Sequence, residues 1–204
     1  MPKVIAITSE KGGVGKSTLA IHLAGAFHGR GLNTALIDED GRVGSSLRWA
    51  ARSPGHLGFE VLEPDAVRPK QLAKLDALLI DTEGRPKRKE LRILAERADL
   101  ILVPSGPSAL EQEATRELMD YLSEQPGTAR KVRVVLTRVP PVGRAGDEAR
   151  LDLRDAGADV CNTMIRQYLA YQKAAEAGAL VRDVPDPRAA AAWSDILSLS
   201  RELL

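Results

Sequence analysis

The chain predicts an α/β fold, a doubly wound, mostly parallel sheet flanked by helices, in a single domain over residues 1–204. Three observations lead there. Short apolar runs without polar alternation recur along the sequence, as strands covered on both faces require. Stretches with helical spacing separate them, the alternation that builds a parallel doubly wound sheet. No Pro-, Gly- or Ser-rich break divides the 204 residues, a length that suits one sizeable core.

The first strand is residues 4–8, and the stretch Lys11-Gly12-Gly13-Val14-Gly15-Lys16-Ser17-Thr18 follows it directly. Leu19, Leu23 and Phe27 then recur at helical spacing until Gly29-Arg30-Gly31 stops the helix. A glycine-rich turn between strand and helix lets successive backbone N–H groups surround an anion, and the helix adds the positive end of its dipole. In such a loop Lys16 reaches β- and γ-phosphates and the Ser17 hydroxyl ligates Mg²⁺.

Residues 34–37 read as a second buried strand ending in Asp38-Glu39-Asp40, and in this architecture the carboxyl ends of strands hold the ligand. Residues 45–52 predict a short helix with Leu47 and Ala51 inward and Trp49 exposed. A short strand at 59–62 and a weak helix at 67–75 follow. Residues 76–80 form a strand ending in Asp81-Thr82-Glu83-Gly84, where a buried carboxylate serves Mg²⁺ and Gly84 lets backbone approach a γ-phosphate. Directly after comes the densest basic cluster, Arg85-Pro86-Lys87-Arg88-Lys89, which reads either as a solvated face or as a phosphate-contacting patch.

A helix through 91–95, a strand at 99–104, and a helix from Ser108 as N-cap through Leu122 continue the alternation. The strand at 131–138 ends in Thr137-Arg138. A helix at 144–156, a short strand near Val160-Cys161, a basic turn with a helix after it, and a last helix at 189–204 complete the chain. That last helix puts Trp193, Ile196, Leu197 and Leu203 on one face and Asp195, Arg201 and Glu202 on its polar face. Without a Lys/Arg excess for anionic lipid it predicts packing onto the sheet.

Composition narrows the function classes. With 29 Lys and Arg against 28 Asp and Glu, the net charge of +1 leaves any nucleic-acid surface to local clustering. Aromatics at 3% exclude a stacking platform for single strands. The lone Cys161 forms no intrachain disulfide or metal-site spacing and is expected as a small buried hydrophobe in a reducing cytoplasm. No signal-peptide pattern opens the chain, and no apolar run approaches the roughly 18 residues of a membrane span.

The strict phosphate-loop pattern asks for Gly at position 10, where Glu10 stands, and a second lysine, Lys11, precedes the double glycine. This is the deviant Walker A signature, and on it the chain resembles the ParA/MinD group of P-loop ATPases. The Asp38–Asp40 segment resembles that following the family's second strand, with Gly41-Arg42 where relatives have Pro-Gln. Ser45 to Arg52 and the Val103-Pro104-x-x-Pro107-Ser108 turn resemble the short partition ATPases of the ParF type.

The resemblance implies a Mg²⁺-dependent ATPase with slow intrinsic turnover, active as a homodimer with two ATPs in the interface. Lys11 of each subunit would reach the other's phosphates. It implies Lys11, Lys16 and Asp40 in catalysis, and residues 12–18 with Thr137 and Arg138 around the nucleotide. It implies Ser17 and Asp81 at the metal, and Asp38 in the metal shell or supporting the loop. Non-specific DNA is the expected surface, through Arg85, Lys87, Arg88, Lys89, Arg166 and Arg182. A ParB-like centromere-binding protein is the expected partner, at the nucleoid and without a membrane. A MinD-like or polar-positioning ATPase acting on a membrane or protein array is the alternative.

Overall fold

The structure is a computed structural model that describes residues 1–41, 43–128 and 130–204. Six strands form one sheet: β1 (Lys3–Ile7), β2 (Thr34–Asp38), β3 (Glu60–Leu62), β4 (Ala77–Asp81), β5 (Leu100–Ser105) and β6 (Val132–Leu136). Their order is β3-β2-β4-β1-β5-β6, and every pairing is parallel. All residues of β2, β4 and β5 are buried, which is why those strands lack polar alternation.

Among the described residues eight helices cover the two faces: α1 (Lys16–Gly29), α2 (Ser45–Arg52), α3 (Pro69–Leu72), α4 (Arg88–Arg97), α5 (Ala109–Ser123), α6 (Ala145–Asp155), α7 (Leu169–Ala177) and α8 (Ala189–Leu203). One core layer joins α1, α2, α7 and α8 to the sheet around Phe27, Leu36 and Leu79, and the other joins α4, α5 and α6 around Leu91, Ile101 and Leu118. Every residue of α1 from Leu19 to Phe27 is buried, so this helix runs through the core instead of lying on its surface.

Several local expectations change. The helix expected over 67–75 is shorter, Pro69–Leu72, behind a 3₁₀ turn at Pro64–Ala66. The short strand near Val160 is a single parallel bridge to Val134. Trp49 is buried and Ala51 exposed, the reverse of the expectation, because the Trp49 indole N–H donates to Ala179 O at 3.1 Å and turns that side of α2 inward. Asp195 leaves the polar face of α8 and is buried by pairing with Arg166.

α8 packs Ile196, Leu199 and Leu203 into the core. Its last carbonyls accept from three cations, Arg30 to Ser200 O and Leu204 O, Lys3 to Leu203 O and Arg133 to Glu202 O. Cations at a helix C-terminus complement its dipole, so this end is held to β1, α1 and β6. No described helix is long and apolar enough to cross a membrane.

Candidate phosphate and nucleotide site

Sheet register places the site. Ile7 of β1 stands opposite Asp81 of β4, and Asp81 stands opposite Asp38 of β2, so three strands end on one line. The glycine loop leaves β1 at that line. Gly13 and Gly15 hold φ of 76° and 89°, a region that side chains avoid, and a β-carbon on either would touch nothing. The loop therefore needs its glycines for backbone shape and leaves open space above its N–H groups. Ser9 pins the main chain of the next lysine, its Oγ accepting from Lys11 N and donating to Lys11 O, both at 3.1 Å.

Gly12, Gly13, Gly15, Lys16, Ser17, Thr18 and Asp40 line one cleft of about 630 Å³, together with Thr82 and Gly84 beyond β4 and Arg48 and Trp49 of α2. A β-carbon on Gly84 would lie 3.9 Å from Lys16 Nζ, so the post-β4 turn and the loop lysine adjoin. Val14 is buried beneath the loop.

The two strand-end carboxylates differ in their bonding. Asp38 accepts from Asp40 N through Oδ1 at 3.1 Å, and from Ser46 N and Leu47 N through Oδ2 at 2.9 and 3.0 Å. It anchors the start of α2 and the turn before it, so of its two expected roles its contacts support the loop and leave little for a metal shell. Asp81 accepts from Ser46 Oγ at 2.7 Å through Oδ2, while its buried Oδ1 has no hydrogen-bond partner among the described residues. Burial pushes the Asp81 carboxyl up to about 6; the Ser17 and Ser46 hydroxyls oppose the rise, Asp38 adds to it and Lys16 opposes it.

That free oxygen beside Ser17 is the test of whether the site fits Mg²⁺, and it does: an unpaired buried carboxylate oxygen and a hydroxyl are hard donors of the kind this ion takes. Ser17 and Asp81 are the residues that would hold it. Asp40 accepts from Val43 N through Oδ1 at 2.9 Å, which fixes its carboxylate at the cleft. Of the Gly41-Arg42 departure, Arg42 lies outside the described residues.

A smaller cavity of about 210 Å³ adjoins the cleft through Gly13, Gly15 and Thr18, and is lined by Arg138, Gln167, Tyr168, Tyr171 and Gln172. Its lining also includes Thr137, which with Arg138 is expected around the nucleotide. The buried Thr137 hydroxyl donates to Val14 O at 2.8 Å, bracing the loop from below. Arg138 holds φ 54° and pairs with Glu111, which also accepts from Ser108 Oγ at 2.6 Å. Ser108 thus occupies the N-cap position of α5 without capping a backbone amide.

Sequence reasoning missed Ser46, Glu111, Tyr168 and Tyr171. For the tyrosines a signal existed: in a chain with 3% aromatics, two fall within four residues after a basic turn. Ser46 and Glu111 offered none, since each acts through a partner distant in sequence. A second groove, apolar and about 750 Å³, lies at the amino ends of the strands between Val4, Leu72, Leu78 and Arg97, and shares no residue with the loop.

The cation-dotted parts of the chain do not gather into one surface. Arg85 and Lys87, between β4 and α4, and Arg88 and Lys89, at the start of α4, are all exposed. Arg166 lines the smaller cavity and is bonded by both oxygens of Asp195, at 2.6 and 3.0 Å. Arg182 lies over the Trp193 ring at 4.9 Å, next to Gly29 at the far end of α1.

A parallel sheet with a glycine loop after its first strand, a lysine at the start of the following helix and carboxylates on the neighbouring strand ends defines a nucleotide-binding P-loop protein. Residues 5–181 match the family described as the CobQ/CobB/MinD/ParA nucleotide binding domain, and the chain belongs to it, a nucleotide-binding ATPase of the ParA/MinD type. The "Maintenance of carboxysome distribution protein A" of Gloeobacter kilaueensis is 31% identical over 210 residues, covering 99% of this chain and 94% of that protein. Protein ParA of Rhizobium radiobacter is 26% identical, covering 82% and 80%. The MinD cell division protein of Aquifex aeolicus superposes with a TM-score of 0.73 over 98% of this chain and 96% of its own, at 20% identity, a likeness of fold.

Proposed function

We propose that this protein is a ParA-like DNA-segregation ATPase: two copies close on two ATPs, the closed dimer binds DNA without sequence preference, and a ParB-like partner accelerates hydrolysis and release. The observation that carries this reading is the meeting of Lys16, Ser17, Asp40 and Gly84 in one cleft with the unpaired Asp81 oxygen behind it. Lys16 holds the β- and γ-phosphates, and Asp40, fixed by its bond to Val43 N, orients the attacking water. Mg²⁺ at Ser17 and Asp81 would neutralise charge on the same phosphates. Lys11, pinned at its main chain by Ser9, extends toward the second copy and stabilises charge that grows on the transferred phosphoryl oxygens. Nucleotide binding and dimerisation are then one coupled equilibrium.

The test is light scattering with ATP and Mg²⁺, ADP, or no nucleotide, alongside phosphate release. ATP is expected to favour a dimer, Lys16→Ala to lose nucleotide binding, and Lys11→Ala to bind ATP without closing the dimer. A monomer at every concentration with ATP would overturn the reading. The carboxysome-distribution relative supports a second reading in which the cargo is a protein array and the DNA-bound dimer is retained. Following plasmid copies and protein compartments in cells that lack the chain separates the two cargoes. A MinD-like action on a membrane would show as ATP-dependent liposome binding.

A further inference from the structure

Six cations stand as candidate DNA contacts, and their surroundings divide them. Arg166 is committed to Asp195, and Arg182 rests on Trp193 roughly 20 Å down α1 from the phosphate loop, by the rise of that helix. Arg88 pairs with Glu10 at 3.2 Å and lies 4.1 Å over the Tyr121 ring, whose hydroxyl donates back to Arg88 O. The side-chain cations of Arg85, Lys87 and Lys89 are exposed and have no carboxylate within 4.0 Å among the described residues, while Glu90 accepts from the Lys87 main-chain N–H at 2.6 Å. Arg92 joins them from the sequence of α4: it is exposed, also unpaired among the described residues, and one turn beyond Lys89, flanking the buried face of Leu91, Leu94 and Ala95.

This tract is attached to the loop at two points. Arg85 N donates to Ser9 O at 3.3 Å from a left-handed backbone, φ 62°, that a side chain rarely adopts. Arg88 holds Glu10, the residue that replaces the usual loop glycine and immediately precedes Lys11. Both attachments act on the two residues before the lysine that is proposed to cross into the second copy.

We infer that Arg85, Lys87, Lys89 and Arg92 form the surface that takes the phosphates of duplex DNA, and that Arg88 is a positioning residue, bolting this surface to Glu10 beside Lys11. The inference rests on the DNA-binding reading above and assigns its contact surface. The tract suits a phosphate backbone because residues 85–97 carry six Lys and Arg against only Glu90 and Glu96, and contain no Asn, Gln or aromatic side chain for reading or stacking on bases. It does not suit a lipid surface, since the apolar side of α4 faces the core and no side chain remains to enter an acyl layer. Through Glu10, closure of the dimer around Lys11 and presentation of the tract become linked.

The experiment is fluorescence anisotropy of a non-specific DNA duplex with the full chain, ATP and Mg²⁺ across a salt series. Lys87→Ala/Lys89→Ala/Arg92→Ala is expected to weaken binding at least about tenfold and to flatten the slope of log affinity against log salt by roughly 0.9 for each phosphate no longer neutralised. Lys70→Ala/Lys74→Ala, at the amino end of β4, is expected to keep the wild-type curve. Glu10→Gln separates the roles of Arg88. If Arg88 were a plain phosphate contact, releasing it would strengthen DNA binding; as a bolt, its release weakens binding with the salt slope little changed.

Wild-type affinity and slope in the triple variant, or tighter binding by Glu10→Gln, would overturn the inference and leave the partition reading standing. Wild-type chain that binds no DNA in any nucleotide state would overturn both. So would binding to phosphatidylglycerol vesicles alone that depends on the same three residues.

Discussion

Asp38 and Asp81 are register partners at the ends of adjacent strands, both about 1% exposed, yet they do opposite things. Asp38 has both oxygens bonded to backbone amides, one to Asp40 in the turn before α2 and the other to Ser46 and Leu47 at its start. Asp81 has one oxygen bonded to Ser46 and one left without a partner among the described residues. Leaving a buried carboxylate oxygen unpaired is unfavourable, and the raised Asp81 pKa is the electrostatic sign of that. One carboxylate anchors the start of α2; the other keeps an oxygen free of hydrogen bonds among the described residues.

The largest test of that contrast is Asp81→Asn, which is expected to lower ATP hydrolysis about 100- to 1,000-fold by phosphate release while the thermal midpoint without nucleotide does not fall. A drop in midpoint as large as that of an Asp38 variant would erase the distinction. Asp38→Ala is expected to do the reverse. It leaves two amides at the start of α2 and one in the turn before it without their charged acceptor, a loss of about 3 kcal/mol, seen as a midpoint lower by roughly 6–12 °C.

A third buried titratable group sharpens the rule that full bonding means a structural role. His22 receives Val181 N–H at Nε2, 2.9 Å, and its Nδ1 lies 2.6 Å from Thr18 O, so it is neutral with the proton on Nδ1. Burial lowers its pKa to about 4, with the Thr18 carbonyl opposing. The unfolded chain takes up a proton near pH 6.5 that the folded chain refuses until about pH 4. Its share of stability is therefore full above pH 6.5 and falls as the pH drops toward 4, by on the order of 3 kcal/mol. Denaturant midpoints from pH 7 to 4 are expected to fall less steeply in His22→Gln. The smallest effect belongs to Ser46→Ala, which removes one hydroxyl from Asp81 Oδ2: a loss of about 1 kcal/mol in unfolding, with hydrolysis a few-fold slower.

How much of this is legible depends on the separation in sequence between cause and effect. The loop, its lysines and the strand ends are readable because a phosphate loop is built from eight consecutive residues whose backbone shape is set by glycine. Local pattern misplaces Trp49 because its burial is decided by Ala179, 130 residues away. Arg166 reads as a solvated or DNA-facing cation because nothing near it announces Asp195, 29 residues on. Thr137 lines the smaller cavity, and only its distance to Val14 O shows that it also supports the loop.

By itself the sequence determined the alternation of buried strands and helices, the phosphate loop and the carboxylates at two strand ends, since apolar periodicity and glycine backbone freedom are local properties. Tertiary structure alone decided which of those carboxylates keeps an unbonded oxygen, which arginines are paired, and that the basic tract is fastened to the loop through Glu10. Those outcomes depend on which groups meet in space after the strands take their register, and burial in a low-dielectric interior then makes each pairing, or its absence, count.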